Sequence, residues 1–227
     1  ELNLLDGKAA TNLALLGKTE GTNFTNSLLV GHATTGTLNA SSNNTGVGIA
    51  ALDALTSADD NTAIGNSAGG AINTGNKNTL IGKNAGRAIT SGGNNIGIGL
   101  DNLYTLSSGS ANIAIGNYSL YETTGDNNTS IGSQSLQEVT TGDNNIGLGK
   151  LAGDNITSGD GNVIIGSINA DSATADKQLI IADGVDGSVA WIKGDSNGVV
   201  TFADDIIIKD AGTIGSASDV DAIAIGA

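Results

Sequence analysis

Asn61-Thr62-Ala63-Ile64-Gly65, Asn78-Thr79-Leu80-Ile81-Gly82 and Asn95-Ile96-Gly97-Ile98-Gly99 are three copies of one phrase, set 17 residues apart. Followed outward in both directions, the glycine of that phrase recurs at Gly31, Gly48, Gly65, Gly82, Gly99, Gly116, Gly132, Gly149 and Gly166. Every step is 17 residues except the 16 between Gly116 and Gly132. Four positions ahead of it stand Asn44, Asn61, Asn78, Asn95, Asn112, Asn128, Asn145 and Asn162, with Ser27 in the first copy. A fixed period of this length marks a repeat architecture. One such unit cannot bury its own apolar face, whereas stacked units share a continuous core.

The columns of the repeat specify its local structure. Directly before the glycine runs an aliphatic column: Val30, Val47, Ile64, Ile81, Ile98, Ile115, Ile131, Leu148 and Ile165. Two residues earlier most positions are β-branched, which with period-two alternation reads as a strand. The aliphatic column from Ile64 to Ile165 is therefore expected to be the core. The residue between is mostly small (Gly46, Ala63, Gly97, Ala114, Ser130 and Gly147) and is expected on a second face against which something packs closely. A second apolar column, Leu38, Leu55, Ile72, Ile89, Leu106, Thr123, Val139 and Ile156, supplies the other buried wall. Turn segments such as Thr141-Gly142-Asp143-Asn144 follow it. Gly and Asn tolerate positive φ, so the glycines from Gly48 to Gly166 and these segments read as turns. Each coil is expected to run strand, turn, short second strand, turn. The asparagines from Asn44 to Asn162 are expected to stack as an amide ladder, with turn formation alone as the simpler alternative. At ~4.8 Å per coil, nine coils span roughly 45 Å.

Composition agrees with an all-β stack. The chain has 227 residues, of which 35 are glycine and none proline, so a ladder loses no amide donor and collagen is excluded. Aromatic residues make up 3%, leaving Ile, Leu, Val and Ala to build the core. A formal net charge of −14 argues against nucleic acid and anionic membranes as partners. Cysteine is absent, so neither disulfides nor thiolate metal sites contribute. No apolar run approaches the ~20 residues of a membrane-spanning helix. With no signal peptide and no methionine, the chain reads as a fragment or processed product.

Three segments follow. Residues 1–25, with leucine-rich phrases around Leu4 and Leu15, are a cap or shaft segment. Residues 26–182 are the solenoid, ending in the degenerate coil Gln178–Ala182. Residues 183–227 form a β-rich shaft segment in which Val199–Phe202 and Ile206–Ile208 read as short strands.

Motifs that suggest chemistry fail on inspection. Gly17-Lys18-Thr19 lacks the glycine a phosphate-binding loop needs, having Asn12 in its place. Gly46-x-Gly48 and Gly147-x-Gly149 are the coil phrase and open no βαβ unit. His32 is the only histidine, and an exposed loop position is its default. Carboxylate pairs could hydrolyse glycans, but the acidic residues sit mostly in turns and aromatic platforms are few. Tyr118 and Tyr121 share a coil and form either a small surface patch or ordinary packing. Asp126, Asp143 and Asp160 stack in three successive coils, where calcium could screen them with help from Asn127 and Asn144. Three solvated turn aspartates are the plainer reading, since the Gly-Gly-x-Gly-x-Asp signature of calcium rolls is missing. No other cofactor is expected, and no enzymatic activity.

Repeats such as Asn61-Thr62-Ala63-Ile64-Gly65-Asn66-Ser67-Ala68 resemble the head repeats of trimeric autotransporter adhesins. They are still more similar to repeats in the tail fibres of phages, especially those of marine bacteria. The Glu1–Gly7 phrase and Gly198–Asp210 also resemble phage fibre shaft segments. The resemblance implies a homotrimer without chemistry along its shaft, attached to other virion or appendage proteins. A host receptor or glycan would then be met through another region. Adhesin head repeats are usually shorter than 17 residues, and neither a coiled-coil stalk nor a membrane anchor is visible here. A trimer is also expected on physical grounds, because a thin coil with a weakly apolar second face needs a partner and closed cyclic symmetry supplies one. The expected function is that of a stiff trimeric fibre spacer in host attachment. The alternatives are a carbohydrate-binding or depolymerising spike and a bacterial surface adhesin.

Overall fold

The computed structural model describes residues 19–21, 24–30 and 40–203. The leucine phrases of residues 1–18, Gly31, His32, Leu38 and the strand expected at Ile206–Ile208 lie outside the described residues. Within them the chain is all-β, with no helix. Strands β1 (Thr19–Gly21), β2 (Phe24–Val30) and β3 (Ser41–Ser42) open the structure. One three-residue strand per coil follows: β4 (Thr45–Val47), β5 (Thr62–Ile64), β6 (Thr79–Ile81), β7 (Ile96–Ile98), β8 (Ile113–Ile115), β9 (Thr129–Ile131), β10 (Ile146–Leu148) and β11 (Val163–Ile165). The last coil contributes β12 (Leu179–Ala182), after which β13 (Ala190–Gly194) and β14 (Val200–Phe202) turn back on it.

Together they make one sheet. From β2 through β12 all neighbours are parallel and in register, Thr62 beside Thr79, Ala63 beside Leu80, Ile64 beside Ile81. Both ends switch to antiparallel pairing, β1 on β2 and then β12, β13 and β14 in series. The result is a β-solenoid of about nine turns.

The core lies on the opposite face of the strand from the one expected. In each three-residue strand the middle side chain points inward and the flanking two point out, the alternation of any pleated strand. Leu29, Ala63, Leu80, Ala114, Ser130, Ile164 and Ile180 are buried. The residues assigned to the core are not: Ile64, Ile81, Ile98 and Ile131 are exposed, and Ile115, Leu148 and Ile165 are half-exposed. Shifting a strand's assignment by one residue exchanges its faces completely. Apolar residues on both faces made either assignment compatible with hydropathy alone.

What selects the small column for the interior is volume. The coil is thin, and the residue six positions on, after the glycine turn, shares the same space. Where the inward strand residue is Gly46, Gly97 or Ala114, that later position carries Leu52, Leu103 or Leu120. Where it is Leu80, the later position is Gly86, whose added Cβ would stand 2.7 Å from Leu80 Cδ2. Large and small alternate across the core so that it fills without overlap.

The second apolar column is buried as expected at Leu55, Ile72, Ile89, Leu106, Thr123, Val139 and Ile156. It does not form a second strand. Asn73 and Thr74 both donate their N–H to the single carbonyl of Thr90, at 3.0 and 3.1 Å. Successive donors converging on one acceptor curl the backbone, where a strand would alternate them.

The 16-residue step has a visible cause. Leu106-Ser107-Ser108-Gly109 in one coil corresponds to Thr123-Thr124-Gly125 in the next, so the missing residue comes from this turn. There Gly125 donates its N–H to Thr123 Oγ1 at 3.2 Å. A hydroxyl at this otherwise largely aliphatic position satisfies the shortened turn.

Candidate functional site

The phrase asparagines form a continuous buried ladder. Each of the eight from Asn44 to Asn162 is fully buried. Asn78 donates both its backbone N–H and its Nδ2 to Asn61 Oδ1, at 2.9 and 3.0 Å, and Asn95 does the same to Asn78. The other amide proton closes the coil. Asn61 Nδ2 reaches Gly75 O at 2.9 Å, and Asn145 Nδ2 reaches Gly159 O at 2.9 Å. Ser27 Oγ begins the series by accepting from Asn44 N–H, and Gln178 ends it, its Nε2 donating to Asn162 Oδ1 at 3.1 Å.

Beside this ladder the glycines Gly48, Gly65, Gly82, Gly99, Gly116, Gly132, Gly149 and Gly166 stack with φ between 113° and 141°. A Cβ on Gly65 would overlap the carbonyl of Gly82 in the coil above, so conformation and close approach both demand glycine here. These two columns join coil to coil, and no reactive group is added by either.

Asp126, Asp143 and Asp160 also stack, as turn residues. Asp126 N–H donates to Asp143 Oδ1 at 2.7 Å, Asp143 N–H to Asp160 Oδ1 at 2.8 Å, and Asp160 N–H to Asp176 Oδ1 at 2.9 Å. One oxygen of each acceptor carboxylate thus holds the turn below it. Among the described residues no group of three or more His, Cys, Asp or Glu is placed to hold a metal ion.

The outer face of the sheet is the largest unpartnered feature. Val47, Ile64, Ile81, Ile98 and Ile131 in one outward column, with Leu28, Ile96 and Ile146 in the other, are each 36–42% exposed. The stripe continues past the solenoid. Ile165 pairs with Ile181, Ile181 with Ile192, and Ile192 with Phe202, so the outward column stays apolar through the antiparallel strands. Over the same strands the inward column passes from Ile180 to Lys193 and Thr201. Lys193 pairs with Asp171 at 2.5 Å. The outer stripe therefore persists where the core that it backs has ended.

A third feature lies on the turn that follows the phrase glycine. Arg87, Tyr104 and Tyr121 occupy one column in three successive coils. The Tyr104 and Tyr121 rings stack at 5.0 Å with 11° between planes, and Tyr118 tilts against Tyr121 at 5.7 Å. The Arg87 guanidinium sits 5.5 Å from the Tyr104 ring centre, and its Nη1 donates to Tyr104 Oη at 2.7 Å. Desolvation raises the Tyr121 phenol above its ordinary pKa, with a smaller contribution from Tyr104. The Tyr118–Tyr121 contact falls on a pair noted in sequence. Tyr104 and Arg87 went unnoticed, although their 17-residue spacing from Tyr121 was the signal that would have joined them. One coil before Arg87 the column holds Gly70, and a depression of about 400 Å³ opens there. Ala50, Asp53, Ser67, Gly70, Ala71, Arg87 and Ala88 line it.

Among the described residues, no helix is long and apolar enough to cross a membrane. Comparison with protein-family profiles, with curated proteins and with solved structures finds no match.

Proposed function

We propose that this chain is a non-enzymatic structural segment of a fibre, a stiff homotrimeric spacer in an appendage of the phage tail-fibre kind that takes part in host attachment. The observation that carries the reading is the outer apolar stripe. It runs in one register from Leu28 and Val30 to Phe202 and outlasts the core behind it. A stripe required only for folding would end with the core. One kept in register across parallel and antiparallel strands alike suits a partner lying along the whole length. Contiguous apolar faces of this extent are rare on monomers, and identical chains meet most readily about a closed axis. The asparagine and glycine columns support the spacer role, since they tie every coil to the next without adding a reactive site.

Light scattering after size exclusion tests the reading. The chain weighs 22.3 kDa, and a mass about three times that is expected. A monomer at micromolar concentration overturns the assembly and with it the spacer function.

A further inference from the structure

The turn-face column reads Asp53, Gly70, Arg87, Tyr104, Tyr121 at constant 17-residue spacing. From Arg87 onward each rung rests on its neighbour. At Gly70 the rung is missing, and the depression occupies its place, with Asp53 on the wall one coil before and Arg87 on the wall one coil after. Those walls are two coil steps apart, roughly 10 Å. That opening admits one ring-sized group lying flat between them. Its lining also includes the small side chains of Ala50, Ser67, Ala71 and Ala88, which present methyl groups and a hydroxyl.

We propose that this slot binds a saccharide unit bearing a carboxylate, inserted as the missing rung. Arg87 is preorganised for the acid. Tyr104 holds the guanidinium by ring and hydroxyl while engaging one of its five N–H donors, leaving the fork available for a bidentate carboxylate. The Asp53 carboxylate on the far wall suits vicinal hydroxyls, which donate where an acidic ligand group would be repelled. The alanine methyls suit the C–H face of a pyranose. Neither a phosphate nor a simple anion uses both walls, and a purely apolar ligand leaves both charges desolvated. None of the lining residues belongs to the outer stripe, so the site stands or falls separately from chain assembly.

The test is a titration of the purified full chain, followed by amide NMR shifts, with methyl β-D-glucuronide as probe and methyl β-D-glucoside as its uncharged counterpart. Saturable shifts at Ala71, Arg87 and Ala88 are expected with the glucuronide. Binding should weaken about tenfold or more for the glucoside and for Arg87→Gln, the cost of losing a charge-assisted pair. Ala71→Phe, which fills the slot from its floor, should abolish binding while the remaining amide spectrum is retained. Shifts that are absent, that do not saturate, or that are unchanged in Arg87→Gln overturn the proposal. Equal affinity for the glucoside overturns the carboxylate pairing on which it rests.

Discussion

Asn95 and Asn102 are both buried amides seven residues apart, and they have opposite consequences. Asn95 Oδ1 accepts the Asn112 N–H at 3.0 Å, while its Nδ2 donates to Asn78 and Gly109. Asn95→Ala strands these partners in a dry interior, and a loss of about 2–4 kcal/mol is expected. Asn102 stands where other coils carry Ala51, Ala68, Ala85 and Ala152. Its Oδ1 is buried without a partner, and its Nδ2 takes the Gly99 carbonyl. Elsewhere that carbonyl receives a backbone N–H, as Gly82 O does from Ala85. Asn102→Ala is expected to restore the common pattern and stabilise by about 1 kcal/mol, the penalty of an orphaned acceptor. Urea midpoints of the two variants, moving in opposite directions, check both. The ladder was legible in sequence because identical polar residues recurred at an invariant spacing. The inward column was misread because hydrophobicity is a poor guide where both faces are apolar. The exchange of size between Gly46 and Leu52, or Leu80 and Gly86, was present in the sequence and is what decides the face.

At the scale of elements, the solenoid strands are only three residues long and draw their order from neighbours above and below. The second strand expected in each coil is absent because its backbone donors converge on single carbonyls, a geometry that residue preferences do not encode. The C-terminal reversal into β13 depends on one side chain. Asp183 accepts backbone N–H from Val185, Asp186 and Gly187 on Oδ1 and from Val189 on Oδ2, at 2.9–3.2 Å. These bonds, that from Val189 foremost, lower its pKa to about 2. A depressed carboxylate stabilises the fold above its unfolded pKa of about 3.9, and that contribution is lost as pH falls through the folded value. Amide exchange at Val185, Gly187 and Val189 is therefore expected to lose protection between about pH 4 and pH 2, ahead of the solenoid strands. Asp183→Ala should lose the same protection at neutral pH.

For the whole molecule, the period alone established a stack of coils, and the sheet order follows it strand by strand from β4 to β12. What the period did not disclose is which surface remains for a partner. Each half-exposed isoleucine that a neighbouring chain covers is worth on the order of 1 kcal/mol. Replacing Ile64, Ile98 and Ile131 together with serine is expected to shift the mass measured by light scattering to that of one chain. Far-ultraviolet circular dichroism should remain β-type, because none of the three contributes to the core.

The amide ladder carries a genetic consequence. Every asparagine offers upward what its neighbour offers, so excising residues 61–77 would set Asn78 on Asn44 with the same donors facing the same acceptor. Unequal recombination between copies, in whole units of 17 codons, would change the reach of the molecule by ~4.8 Å at a time while leaving both capped ends untouched. The shortened turn at Thr123–Gly125 breaks that interchangeability at one place and so marks a fixed origin from which the other coils can be counted.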